Sequence, residues 1–146
     1  MENHKFNLLI AEHSPFLRNV FQETLASEFN LTLVSNYNEI VSQLEAGSAI
    51  NFIITDLDGP QADGVESISR FRNHSRYQHV PMLVLSGKND SEVRIQCLEN
   101  GADDCMAKPF NPLELRAKIG AMLRRSPHTV SWPVAGTYAQ KGTAFA

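Results

Sequence analysis

Short apolar runs alternating with amphipathic stretches predict a doubly wound α/β sandwich, a parallel sheet flanked by helices. Two further features support it: helix-start signals after the runs, and Gly or Pro at the joints between elements. Phe6–Ala11 reads as the first strand. Ser14 then caps a helix with Pro15 at its first position, where a missing N–H costs nothing. Phe16, Val20, Phe21, Leu25 and Phe29 keep a helical period through that segment. Leu31–Val34 is the second strand, and Asn38–Leu44 the core of a helix that stops near Gly47. A third strand, Asn51–Thr55, runs straight into Asp56. Gly64–Phe71 carries the third helix, with a polar connection from Asn73 to His79. Pro81 opens a fourth strand, Met82–Leu85, which ends at Ser86 and Gly87. Ser91–Glu99 is the fourth helix, stopped by Gly101; Asp103–Ala107 is the fifth strand, and Pro112 starts a last helix through about Arg125. The expected organisation is one domain over residues 1–125. The stretch 126–146, with two prolines, two glycines and Lys141 as its only Lys, Arg, Asp or Glu, reads as a linker or flexible extension.

Composition narrows the function classes without choosing one. At 146 residues the chain can bury one proper core. A net charge of -3 gives no electrostatic reason for this segment to bind nucleic acid. Its longest apolar runs are strand-length, so no membrane span is expected, and the polar Met1–Lys5 start does not resemble a signal peptide. Two cysteines, Cys97 and Cys105, are too few for a disulfide framework and fit a reducing cytosol. A soluble, cytoplasmic protein is the expectation.

Ligands of open α/β sheets bind outside the carboxyl ends of the strands. Polar residues gather at those ends here: Glu12 and His13 after the first strand, Asp56 after the third, Ser86 after the fourth, Lys108 after the fifth. An acid as nucleophile, with a hydroxyl and an ammonium around it, can take a phosphoryl group on a carboxylate and hold its oxygens. The bland readings stand beside this one. A lone serine is commonly a cap or turn residue, and a buried Lys108 could simply neutralise Asp56 and Glu12. His4, His74, His79 and His128 read as solvated groups, the Arg70, Arg72, Arg76 cluster as a solvated face, and Cys97 as helix packing.

At this point the sequence resembles the receiver domains of two-component response regulators, of the chemotaxis-receiver type. Leu8-Leu9-Ile10-Ala11-Glu12-His13-Ser14-Pro15 is similar to their first strand and acidic turn. Ile53-Ile54-Thr55-Asp56-Leu57-Asp58-Gly59-Pro60, with Asp63-Gly64 after it, is similar to the phosphorylation-site strand and loop. Val80-Pro81-Met82-Leu83-Val84-Leu85-Ser86-Gly87 resembles the fourth strand with its hydroxyl, and Gly101-Ala102-Asp103-Asp104 leading to Lys108-Pro109-Phe110 the closing signature. The resemblance covers roughly Phe6 to Arg125. It implies a flavodoxin-like (βα)5 sandwich with strand order 2-1-3-4-5. Asp56 would be the phosphoacceptor, with a sensor histidine kinase or phosphotransfer protein as donor. Lys108 would pair with the phosphoryl oxygens, and its Lys108-Pro109 peptide bond would be cis, as in most relatives. Ser86 would swing its hydroxyl onto the phosphoryl group. A magnesium ion would be held by Glu12, Asp56 and the main-chain carbonyl of Asp58. A downstream effector protein or domain, and a homodimer through the face of the fourth helix, fifth strand and fifth helix, complete the implied partners.

Three departures from that pattern bear on mechanism. Relatives carry two acids in the first turn, the second a direct metal ligand, whereas this chain has Glu12-His13. Imidazole suits zinc, copper, nickel or iron better than magnesium, so weak magnesium binding and relatively better manganese binding are expected. Asp58 could compensate by adding its carboxylate at the metal, or could pair with Lys88. Cys105 stands where many relatives have an aromatic ring that rotates inward on activation, so the output side must work differently.

Two rival readings exist. Asp56-Leu57-Asp58-Gly59 imitates the nucleophile motif of haloacid-dehalogenase-type phosphatases, with a second aspartate as general acid. Those enzymes put the motif on their first strand and their lysine before the closing acidic pair; here about fifty residues precede it, Pro60 replaces the usual threonine, and Lys108 follows Asp103-Asp104. A non-enzymatic regulatory domain is the expectation. The other rival is a pseudo-receiver, a protein-binding module left unphosphorylated because His13 replaces a metal-binding acid. Retention of Asp56, Ser86 and Lys108 together argues against it.

Overall fold

The computed structural model describes residues 5–58, 64–88 and 90–126. The expected extension over 126–146 lies outside them apart from Ser126, as do His4, His128 and the loop positions Gly59, Pro60 and Asp63. Strands and helices alternate strictly: β1 (Asn7–Ala11), α1 (Pro15–Leu25), β2 (Asn30–Val34), α2 (Tyr37–Glu45), β3 (Phe52–Asp56), α3 (Val65–Arg72), β4 (Met82–Ser86), α4 (Ser91–Glu99), β5 (Asp104–Ala107) and α5 (Pro112–Arg125). Every strand pairing is parallel, in the order β2-β1-β3-β4-β5, which is the order expected.

The Ser14 cap expected from the sequence is present, and three other helix starts are capped in the same way. Ser14 Oγ accepts from the Leu17 amide with Pro15 at the first turn, and Asn111 does the same for Leu113 and Glu114 ahead of Pro112. Asn36 and Asp90 cap α2 and α4.

The two-residue period of the strands divides the core. Leu8, Ile10, Phe52, Ile54, Leu83, Leu85 and Met106 pack on one face with Phe21 and Leu25 of α1 and Leu115, Ile119 and Leu123 of α5. Leu9, Ala11, Ile53, Met82, Val84 and Cys105 pack on the other with Ile40, Leu44, Ile68, Phe71 and Cys97. Both faces of β3 and β4 are covered, which is why those strands are continuous apolar runs rather than alternating ones.

Two expectations fail. The period that placed Phe16 and Phe29 on one helical face is broken: α1 ends at Leu25, Phe29 reaches the core from the following turn, and Phe16 is 73 % exposed. Arg72 is no solvated cation. Its guanidinium donates to the carbonyls of Gly101 and Val80, each at 2.6 Å, and pairs with Asp103 at 2.6 Å. The same Asp103 carboxylate accepts from the Met82 amide at 2.8 Å, so Arg72 ties the entry of β4 to that of β5. Gly101, at φ +121°, leaves room for the Arg72 stem that a side chain would fill.

Candidate functional site

The register sets the strand ends level. Ala11 lies beside Thr55, Asp56 beside Leu85, and Ser86 beside Ala107. The chain leaves β1 for β2 on one side and returns to β3 on the other. A crevice therefore opens between the β1 and β3 ends, where Glu12, His13 and Asp56 lie.

Lys108 Nζ lies 2.8 Å from Asp56 Oδ1 and 3.2 Å from Glu12 Oε1. On the opposite side, His13 Nδ1 lies 2.9 Å from Asp56 Oδ2 and 3.6 Å from Glu12 Oε2. One oxygen of each carboxylate thus faces the ammonium and the other faces the imidazole. The Asp58 amide donates to Asp56 Oδ1 at 2.9 Å, and the Ser14 amide to Glu12 Oε2 at 3.2 Å. Asp56 and Glu12 are buried, Lys108 is nearly so, and the His13 side chain is 39 % exposed.

Burial pushes the carboxyl group of Asp56 upward, but the hydrogen bonds from Lys108 and the Asp58 amide, with the Lys108 charge, outweigh it and hold its pKa below the usual carboxylate value. Glu12 goes the other way: burial, and then the neighbouring Asp56 charge, raise it. Burial alone would lower Lys108, yet the bond and charge of Asp56, followed by the Glu12 charge, raise it. The crevice therefore keeps Asp56 ionised and Lys108 protonated at neutral pH, with Glu12 the first carboxylate to take up a proton. An ionised carboxylate with fixed cationic partners at a solvent-facing crevice is equipped for nucleophilic attack on an electrophile that carries negative oxygens.

Ser86 is buried at the end of β4, its Oγ accepting from the Lys88 amide at 3.0 Å. Its carbonyl accepts from the Lys108 amide at 2.9 Å. The Lys108-Pro109 peptide is cis. The Asp58 carboxylate accepts from the Gly87 amide rather than pairing with Lys88, bracing the β3 loop on the β4 loop. A phosphatase-like general acid would need that carboxyl group beside Asp56. Cys105 is buried against Cys97 of α4; burial and the Cys97 neighbour push its thiol up to about 12.

The structure brings together Glu12, Asp56 and Lys108 as a contacting group, with Ser86 at the end of the adjoining strand β4. From the sequence alone, His13 is the loss of a hard oxygen ligand. Among the described residues, however, Glu12, His13 and Asp56 are the groups whose ligand atoms all lie within 4.8 Å of one another. The signal was present in the Glu12-His13 pair, but only the fold shows the imidazole turned toward Asp56. Glu12 Oε1 is buried, without a directed hydrogen bond, and balanced only by the ion pair to Lys108. Two buried carboxylates so arranged fit a divalent cation: their oxygens suit magnesium, and the imidazole adds a donor that magnesium does not favour.

Residues 8–120 match the response regulator receiver domain family. Protein PetR of Rhodobacter capsulatus is 33 % identical over 125 residues, covering 86 % of this chain and 52 % of the relative. The phosphate regulon transcriptional regulatory protein PhoB of Escherichia coli is 31 % identical over 124 residues, covering 84 % and 54 %. The chain thus spans about half the length of these curated relatives. A response regulator from Chloroflexus aurantiacus superposes with a TM-score of 0.77 at 26 % identity, covering 84 % of this chain and 100 % of that one. The chemotaxis response regulator CheY4 of Vibrio cholerae shares the fold, with a TM-score of 0.75 at 22 % identity over 82 % and 99 %.

Proposed function

This chain belongs to the response regulator receiver domain family of two-component signalling, and from that premise we propose that Asp56 accepts a phosphoryl group from a sensor histidine kinase or phosphotransfer protein. The observation that carries the proposal is the 2.8 Å contact between Lys108 Nζ and Asp56 Oδ1, both groups sitting at the sheet's reversal crevice. An oxygen of Asp56 attacks the phosphorus, and the bond to the donor's leaving nitrogen or oxygen breaks. No proton has to leave Asp56, because its pKa is already held low. Lys108 stays protonated through the transfer and balances charge that moves onto the phosphoryl oxygens. When bound, a magnesium ion on Glu12, Asp56 and the Asp58 main-chain carbonyl would supply further positive charge to those oxygens.

Ser86 reads the product. Its Oγ already accepts from the Lys88 amide, so turning its hydroxyl to donate to a new phosphoryl oxygen draws on the loop that leads to α4. With Cys105 and Cys97 filling the space between β5 and α4, no aromatic ring is there to follow. The response stays in the β4–α4 loop and α4, whose exposed Ile95 and Leu98 offer a face to an effector or a second copy of the chain. Two free, buried cysteines suit work in a reducing cytoplasm.

The test is intact-mass measurement after incubation with acetyl phosphate and magnesium. The wild-type chain should gain one phosphoryl adduct and Asp56→Asn none. Stoichiometric labelling of Asp56→Asn would overturn the assignment.

A further inference from the structure

We propose that His13 is itself a metal ligand, and that Glu12, His13 and Asp56 form a nitrogen–oxygen–oxygen site that selects a zinc-class dication over magnesium. The proposal rests on the divalent-cation part of the reading above and is independent of phosphoryl transfer.

Lys108 engages Glu12 Oε1 and Asp56 Oδ1, which leaves Glu12 Oε2 and Asp56 Oδ2 on the opposite side. His13 Nδ1 faces those two oxygens at 3.6 and 2.9 Å. Ligands bound to zinc at about 2.0–2.1 Å in a tetrahedron stand about 3.3 Å apart, close to both imidazole–carboxylate separations, and all three ligand atoms lie within 4.8 Å of one another. Little ordering remains to be done. Glu12 is buried at 1 % exposure and held by the Ser14 amide, while Asp56 is fixed by Lys108 and the Asp58 amide. His13 is 39 % exposed, so the fourth position opens to solvent.

Ligand type decides between metals. Glu12, Asp56 and Lys108 together carry about one negative charge, and the Asp58 carboxylate accepts from the Gly87 amide. Magnesium relies on charge and hard oxygen ligands, and an imidazole in place of a carboxylate serves it poorly. A zinc-class ion gains from the imidazole what it loses in charge. The sequence position that weakens one cation therefore favours another.

The test uses the whole chain, free of phosphodonor, titrated separately with zinc, cobalt(II) and magnesium by calorimetry. The cobalt visible spectrum serves as a direct report of nitrogen ligation. Wild type should bind one zinc at least about tenfold more tightly than magnesium. His13→Gln should lose at least about tenfold in zinc affinity and most of the cobalt absorption, and His13→Asp should reverse the preference. Zinc affinity unchanged in His13→Gln would overturn the proposal, as would a wild-type preference for magnesium. Acetyl phosphate labelling in saturating magnesium keeps the two readings apart. Labelling without zinc preference sinks this inference alone, and zinc binding without labelling sinks only the phosphoacceptor reading.

Discussion

Replacing Lys108 by methionine keeps the aliphatic stem but removes the ammonium that touches Asp56 Oδ1 and Glu12 Oε1. Two buried carboxylates are then left facing each other with only the half-exposed His13 nearby. Breaking a buried ion pair from one side costs about 3–5 kcal/mol, and the 16 % exposure of the Lys108 side chain returns some of that to solvent. A loss of about 3 kcal/mol at pH 7 is expected, against a total stability of roughly 5–15 kcal/mol for a domain of this size. The pH dependence identifies the cause. In the wild type, Asp56 titrates below its ordinary value, so its contribution is present at neutral pH and is lost as pH falls through the folded value. In Lys108→Met both carboxylates should titrate above their ordinary values, and that protein should gain stability as pH falls. The gap between the two proteins should therefore narrow as pH falls from 7 toward about 4, and close only where Asp56 is protonated in both. Urea unfolding in the presence of a chelator at pH 7 and at pH 4 measures it. In an Asp56→Asn background the same substitution should cost less than about 2 kcal/mol, because one of the two stranded charges is gone. A gap that is equal at both pH values, or below about 1 kcal/mol at pH 7, would refute the claim that Lys108 is held there by charge.

Ser86→Ala should leave Asp56 able to take up phosphate while suppressing the response of residues 86–91. Each hydrogen bond to a charged group is worth about 1.5–3 kcal/mol, enough to shift a balanced loop by roughly one to two orders of magnitude. Amide exchange with and without beryllofluoride would show it, and an undiminished response would discard the role given to Ser86. Gly101→Ala should destabilise the fold by about 2–4 kcal/mol, combining backbone strain at φ +121° with loss of the Arg72 tie. Its Cβ would sit 2.2 Å from Arg72 Cγ; a thermal melt within about 1 °C of wild type would disprove the close packing.

The alternating apolar runs, the Ser14-Pro15 start, Pro112 at the head of the last helix, and polar residues at successive strand ends were legible because they are local. Periodicity, capping and turn chemistry act over a few neighbouring residues. Those signals were enough to predict the sandwich and to nominate Asp56, Ser86, Lys108 and Glu12. Local period misled where burial is set by distant partners. Phe16 continues the helical stripe yet faces solvent, and Phe29 fills the core from beyond the helix end. Arg72 read as one of three surface cations, because its partners Val80, Gly101 and Asp103 come together only when β4 and β5 align. The crevice shows the same division. Sequence showed that His13 replaces an acid and that Asp58 carries an extra charge, but side-chain direction depends on which amides and carboxylates register brings within reach. The parallel pairing of β1, β3, β4 and β5 turned His13 toward Asp56, gave Asp58 to the Gly87 amide, and put Lys108 across two carboxylates, the nearer of them 52 residues away in the chain. Charges separated that far along the chain meet only through the sheet, and their pKa values, and with them the chemistry of Asp56, are set at that meeting.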